Sequence, residues 1–141
     1  MLIQGQCNIF LLNKLLGAED FSLLSPYQYY MALYNANADL GPDTLIYTST
    51  NEVTGPGYTA GGLRLTPIPP VVDNGVAFLS FQNVLWTGAD FITRGALIYN
   101  FTTDAAVAVL DFGADKLASG DFPVWFPPAT YTTAVIRDTV S

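Results

Sequence analysis

Beyond residue 17, glycine and proline cut the chain into apolar runs too short for helices. The 12 Gly and 9 Pro fall between stretches of four to eight residues, and the apolar residues within those stretches alternate instead of recurring at helical spacing. Tyr29, Met31 and Leu33 alternate with Gln28, Tyr30 and Ala32. Leu63-Arg64-Leu65-Thr66 alternates and stops at Pro67. Val76 to Phe81 follows Asp73-Asn74-Gly75, whose Asn-Gly pair is tight-turn chemistry. Ala96–Phe101 and Ala106–Phe112 flank Thr102-Thr103-Asp104-Ala105 and read as an antiparallel hairpin. Phe122–Phe126 and Thr133–Arg137 complete the strands. Only residues 6–16 read as helix. Leu11, Leu12, Leu15 and Leu16 form its apolar stripe, Asn13 and Lys14 mark its polar side, and Gly17 suits the left-handed residue that ends a helix. A stripe on so short a helix requires a sheet or a neighbouring subunit to cover it.

This pattern predicts a mainly β chain, an antiparallel β-sandwich or jelly roll with one short N-terminal helix. At 141 residues it is expected to form a single β-rich domain, residues 1–141, burying roughly 68–70% of its unfolded surface. Residues 35–62, with five glycines, and residues 67–75, with three prolines, resist assignment. Loops of that length are functional or packed against a partner.

Composition narrows the chemistry. The chain has no histidine, which removes the commonest general base and zinc ligand and excludes Ser-His-Asp and Cys-His catalysis. Cys7 is the only cysteine, so no intrachain disulfide forms, and beside an apolar helix it reads as a small buried hydrophobe. Five basic residues stand against twelve acidic ones, a net charge of −7. Lys14, Arg64, Arg94, Lys116 and Arg137 are scattered singly, which argues against nucleic acid and against anionic membrane surfaces. The run Ile9–Leu12 is broken by Asn13 and Lys14, too short for a membrane span and without signal-peptide flanks. A cytosolic product is expected. Charged residues are 12% of the chain against a typical ~25%, so much of the surface is neutral and suited to meeting protein.

The local motifs carry little catalytic promise. Gly55-Pro56-Gly57-Tyr58-Thr59-Ala60-Gly61-Gly62 misses the dinucleotide-binding spacing by one residue and lacks the lysine of a P-loop, so it reads as a surface loop. Asp111-Phe112-Gly113 matches a kinase tripeptide by coincidence, with Asp111 read at a strand end. Asp111, Asp115 and Asp121, and Glu19 with Asp20, read as solvated loop carboxylates; a two-carboxylate hydrolase acting on cell-wall sugar is the remaining enzymatic possibility. Asn100-Phe101-Thr102 matches a glycosylation sequon without any sign of secretion. Trp86, Trp125 and the eight tyrosines suit a core and a protein interface, or a sugar-stacking platform.

Three segments carry a resemblance: Thr48 to Gly62 (TSTNEVTGPGYTAGG), Thr93 to Asn100 (TRGALIYN) and Ala106 to Gly113 (AVAVLDFG). With Gln4-Gly5-Gln6-Cys7 and Met31-Ala32-Leu33-Tyr34, the chain resembles a family of small virion structural proteins of tailed bacteriophages. Pro56 stands where that pattern has a small or hydroxylated residue, and residues 67–75 and 127–132 carry none of its motifs. The resemblance implies a non-enzymatic part of the phage particle, with no catalytic residues to carry over; the absence of histidine, the single cysteine and the lack of a calcium loop lead to the expectation of no metal or cofactor. The expected function is a capsid decoration (cement) protein, located in the virion and binding the major capsid protein as a homotrimer or other homo-oligomer. The alternative is a head or tail fibre component that binds host surface glycan, which an exposed Trp86 or Trp125 near carboxylates would favour.

Overall fold

The computed structural model describes residues 1–139 and shows a mainly β protein of two antiparallel sheets with one short helix. The elements in chain order are β1 (Gly5–Gln6), α1 (Asn8–Leu15), β2 (Tyr29–Tyr34), β3 (Leu63–Leu65), β4 (Pro67–Asp73), β5 (Val76–Phe81), β6 (Val84–Asn100), β7 (Ala106–Val124) and β8 (Ile136–Thr139). One sheet has five strands in the order β1-β7-β6-β2-β3, the other three in the order β4-β5-β8.

The centre of the larger sheet is buried on both faces. From β2, Tyr29, Met31 and Leu33 enter a cluster shared with Leu79 and Phe81 of β5 and Ile136 of β8, so this face packs against the smaller sheet. The alternate residues Ala32 and Tyr34 enter a second cluster with Leu97, Tyr99, Ala38 and Leu40, beneath the loop that follows β2. Phe21 joins the layers. Its ring stacks on Tyr29 at 4.2 Å and meets Phe10 of α1 and Phe81 of β5 edge-on at 5.9 and 6.0 Å.

β2, β3, β5 and the Asn74-Gly75 turn lie where the alternation places them. Asn74 and Gly75 both have positive φ, 51° and 73°, as the tight hairpin turn requires. Three readings change. β6 and β7 form one long ribbon in place of the short runs 96–101, 106–112 and 122–126; they stay paired from Tyr99↔Ala106 to Val84↔Val124. The glycines that look like breaks accommodate irregularities within it: Gly88 (φ 59°) lies at the register shift between Trp86 and Ala89, and Gly113 and Gly120 take positive φ inside β7. Asp111 is therefore in mid-strand, not at a strand end. Residues 67–73 form a strand despite Pro67, Pro69 and Pro70, because β4 is an edge strand with a bulge between Ile68 and Val71.

The helix is slightly shorter than the 6–16 expected, and of the two covers expected for its leucine stripe, a sheet or a neighbouring subunit, the sheet is not one. Its end is as read: Gly17 N–H donates to Lys14 O and Ala18 N–H to Asn13 O, closing a Schellman motif at φ 71°. The inward residues, however, are Phe10 and the preceding Cys7, both fully buried, and Lys14 lies over the Phe10 ring with its ammonium 2.6 Å from Asp138. Leu11, Leu12, Leu15 and Leu16 point outward, Leu15 with 88% of its surface exposed. An aromatic ring and a thiol fill the space against the sheets, so the leucine stripe is not covered by the described residues.

Candidate functional site

The glycine-rich loop of residues 48–62 is organised around a buried carboxylate. Glu52 accepts hydrogen bonds from the Tyr47 and Tyr58 hydroxyls and from Gly61 N–H at 2.8 Å. Tyr58 Oη also accepts the Leu33 N–H at 3.0 Å, which ties the loop to β2. Tyr99 donates to Gly61 O at 2.7 Å and Tyr34 to Thr48 O at 2.6 Å. Burial pushes the Tyr47, Tyr58, Tyr34 and Tyr99 hydroxyls well above the usual phenol range, and the Glu52 charge adds to each shift. They remain neutral donors. Two of the loop's own N–H groups close turns within it: Tyr58 N–H reaches Gly55 O and Gly62 N–H reaches Thr59 O. With its donors turned inward onto a carboxylate, the segment is a clamp on the sheet and not a phosphate cradle. Pro56 joins the clamp, since its carbonyl accepts Asp90 N–H at 3.0 Å. Sequence reasoning did not single out Glu52. Its only signal was a lone acid between two tyrosines in a glycine-rich stretch.

The other carboxylates do not meet as an acid–base pair. Arg94 lies between Asp111 (3.4 Å) and Asp115 (4.0 Å), and Asp121 has no ion-pair partner among the described residues. Asp111 Oδ1 also accepts Gly113 N–H at 2.9 Å; that bond, then Arg94, holds its carboxyl below the usual range. Glu19 and Asp20 diverge. Asp20 caps Ser22 N–H, whereas Glu19 turns into the protein and accepts the Tyr29 hydroxyl at 3.0 Å. Burial pushes Glu19 up to about 7, only partly offset by Tyr29 and Asn100. No cluster of three His, Cys, Asp or Glu suited to a metal occurs among the described residues.

The remaining sequence features separate cleanly. Cys7 is buried, and burial pushes its thiol up to about 11. Asn100 of the sequon is fully buried, its Oδ1 accepting Thr102 and Thr103 N–H, so it presents no acceptor for a glycan. Trp86 is a core residue, 2% exposed, packed near Tyr58 and Phe122. Trp125 is 76% exposed. No helix among the described residues is long and apolar enough to cross a membrane.

Two surface features remain. One is the outward leucine face of α1, accompanied by Leu23 and Leu24 on the turn after Phe21, both more than 80% exposed. The other is a trough of about 730 Å³ where the β1–β7 edge of the larger sheet faces β8 and the segment leading into it. Trp125, Tyr131, Gln4, Asp111 and Arg137 line that trough. Fold and surface together define a class: a two-sheet antiparallel β protein with a pinned glycine-rich loop and uncovered apolar and aromatic surface. Comparison with protein-family models, curated proteins and solved structures found no match.

Proposed function

We propose that the chain is a structural component of a tailed-phage particle, a decoration protein that binds the outer surface of the major capsid protein and stabilises the head. The observation that carries this reading is the outward leucine face of α1. Leu11, Leu12, Leu15 and Leu16 are exposed on a helix whose inward contacts are already filled by Phe10 and Cys7. Contiguous exposed apolar surface of this kind marks a protein contact. Leu23 and Leu24, further along the chain, are exposed as well. With few charges available, attachment rests on apolar burial and not on ion pairs. The resemblance over residues 48–62, 93–100 and 106–113 supports the same class. Many copies, as trimers or another homo-oligomer, would bridge neighbouring capsomers and raise the cost of separating them as packaged genome pushes outward.

The test is add-back of purified protein to capsids that lack it. Binding should survive a rise to molar salt, where the Debye length shrinks to about 3 Å and surface ion pairs fail. Decorated capsids should rupture at higher temperature than bare ones. Protein that ignores bare capsids at every salt concentration overturns the reading.

A further inference from the structure

The trough beside Trp125 has the composition of a carbohydrate site. At about 730 Å³ it lies within the range of small-ligand pockets, about 300–1,000 Å³. Its most exposed large side chain is the Trp125 indole, directly after the end of β7, with the partly exposed Tyr131 ring lining the same space. An indole open to solvent on a wall, with no packing role for most of its surface, offers a flat apolar face for the C–H side of a sugar ring.

Gln4, Gln6, Asp111 and Arg137 are each held by bonds to the protein, while other hydrogen-bonding atoms of theirs have no partner among the described residues. Gln4 Oε1 accepts Asp111 N–H at 3.1 Å, which leaves the Gln4 amide nitrogen without a partner among the described residues. Asp111 uses Oδ1 for Gly113 N–H and Arg94, and Oδ2 remains available. Gln6 Nε2 donates to Arg137 O at 3.0 Å across the gap between the two sheets, and its Oε1 is unengaged. One guanidinium nitrogen of Arg137 donates to Thr132 O, and the others have no protein acceptor among the described residues. Donors and acceptors fixed in this way lose little freedom when they meet a ligand's hydroxyls. The mixture of a carboxylate, two amides and a guanidinium beside aromatic rings matches a polyhydroxylated ligand better than a purely apolar one.

We propose that this trough binds a short neutral oligosaccharide, with Trp125 as the stacking platform and Gln4, Asp111 and Arg137 as hydroxyl partners. Neutrality follows from the chain's net charge of −7 and from the wall itself, where the Asp111 carboxylate and the Arg137 guanidinium offset one another and leave phosphorylated or uronic sugars no net attraction. The site is separate from the proposed capsid contact, because none of the α1 leucines lines it.

Titrating the full chain with cellotriose, maltotriose and chitotriose, and with an oligogalacturonate of equal length, tests the assignment. Calorimetry and tryptophan emission serve as readouts; Trp86 is buried, so a change in emission reports Trp125. At least one neutral trisaccharide should bind saturably and shift the emission, and the oligogalacturonate should bind at least tenfold more weakly. Trp125→Ala should weaken neutral binding at least tenfold at an unchanged melting temperature, and Trp125→Phe should fall between the two. The proposal is overturned if no neutral trisaccharide binds at millimolar concentration, if Trp125→Ala binds as the parent does, or if the anionic sugar binds as well as the neutral ones.

Discussion

The Tyr58 hydroxyl bridges the Glu52 carboxylate and the main chain of β2, donating to Glu52 and accepting Leu33 N–H. One phenol oxygen thus connects a buried charge in the loop to an interior strand of the larger sheet. Tyr58→Phe leaves Leu33 N–H without its acceptor in a buried place and takes one of three donors from Glu52, and an unsatisfied buried group costs about 1–3 kcal/mol. The variant should lose at least ~2 kcal/mol in denaturant unfolding at unchanged m-value. Tyr47→Phe, at a more exposed hydroxyl, should lose less.

Glu19 gives the chain a pH-dependent stability. Its carboxyl stands at about 7 when folded, against an ordinary value of 4.5, because burial disfavours the charge. The folded state therefore holds the proton more tightly than the unfolded state. Stability is fullest below about pH 4.5, falls as pH rises toward 7, and is flat above that as far as this group is concerned. Partial exposure reduces the effect to about 1–2 kcal/mol. Glu19→Gln keeps an acceptor for the Tyr29 hydroxyl and has no charge to bury. It should match the parent at pH 4 and exceed it at pH 8, as read from melting curves. Equal gaps at both pH values would show that ionisation of Glu19 is not the cause.

Much of the fold was legible because the signals were local. The β2 alternation, the Asn74-Gly75 turn and the Gly17 helix end each depend on a few adjacent residues and on backbone chemistry that allows few alternatives. The long ribbon was not legible. Gly88, Gly113 and Gly120 carry the sequence mark of a strand break, and whether a positive-φ glycine ends a strand or bulges within it depends on the partner strand. The prolines of β4 misled for a related reason: they are compatible with a strand only at an edge, and edge position is a property of topology. The orientation of α1 depended on a choice between the leucine stripe and Phe10 with Cys7, and the available space favoured the aromatic ring. Of the surface features, the leucine stripe and the tryptophans could be named in advance, but not which of them faced solvent. Which tryptophan was exposed was set by the β6 register, which turns Trp86 inward, and by Trp125 lying beyond the end of β7.

The clamp loop also depends on a backbone approach that excludes side chains. Gly62 has φ +83°, and a Cβ there would lie 1.7 Å from Met31 O. Neither the strand nor the loop can move aside without breaking the bonds around Glu52. Gly62→Ala should destabilise by more than ~3 kcal/mol or prevent folding, since it combines a steric clash with a left-handed backbone. At Gly17 φ is also positive, but nothing lies within 4 Å of the added Cβ. Gly17→Ala should therefore cost only about 1 kcal/mol, and a comparable loss at both sites would refute the close-approach argument.

The outward leucine stripe separates folding from attachment. Phe10 is fully buried against Phe21 and the core, so Phe10→Ala should lose about 3–5 kcal/mol. Leu15 is 88% exposed, and Leu15→Gln keeps a good helix former at the position, so its melting temperature should stay within the range of a neutral surface change, about 0.5 kcal/mol. If the leucine face is the capsid contact, Leu15→Gln combined with Leu12→Gln should fold as the parent does and lose at least tenfold in affinity for bare capsids. A double variant that melts well below the parent would show that the stripe is covered within the chain. One that binds capsids undiminished would move the contact to another face, and the outward leucines would need a different partner.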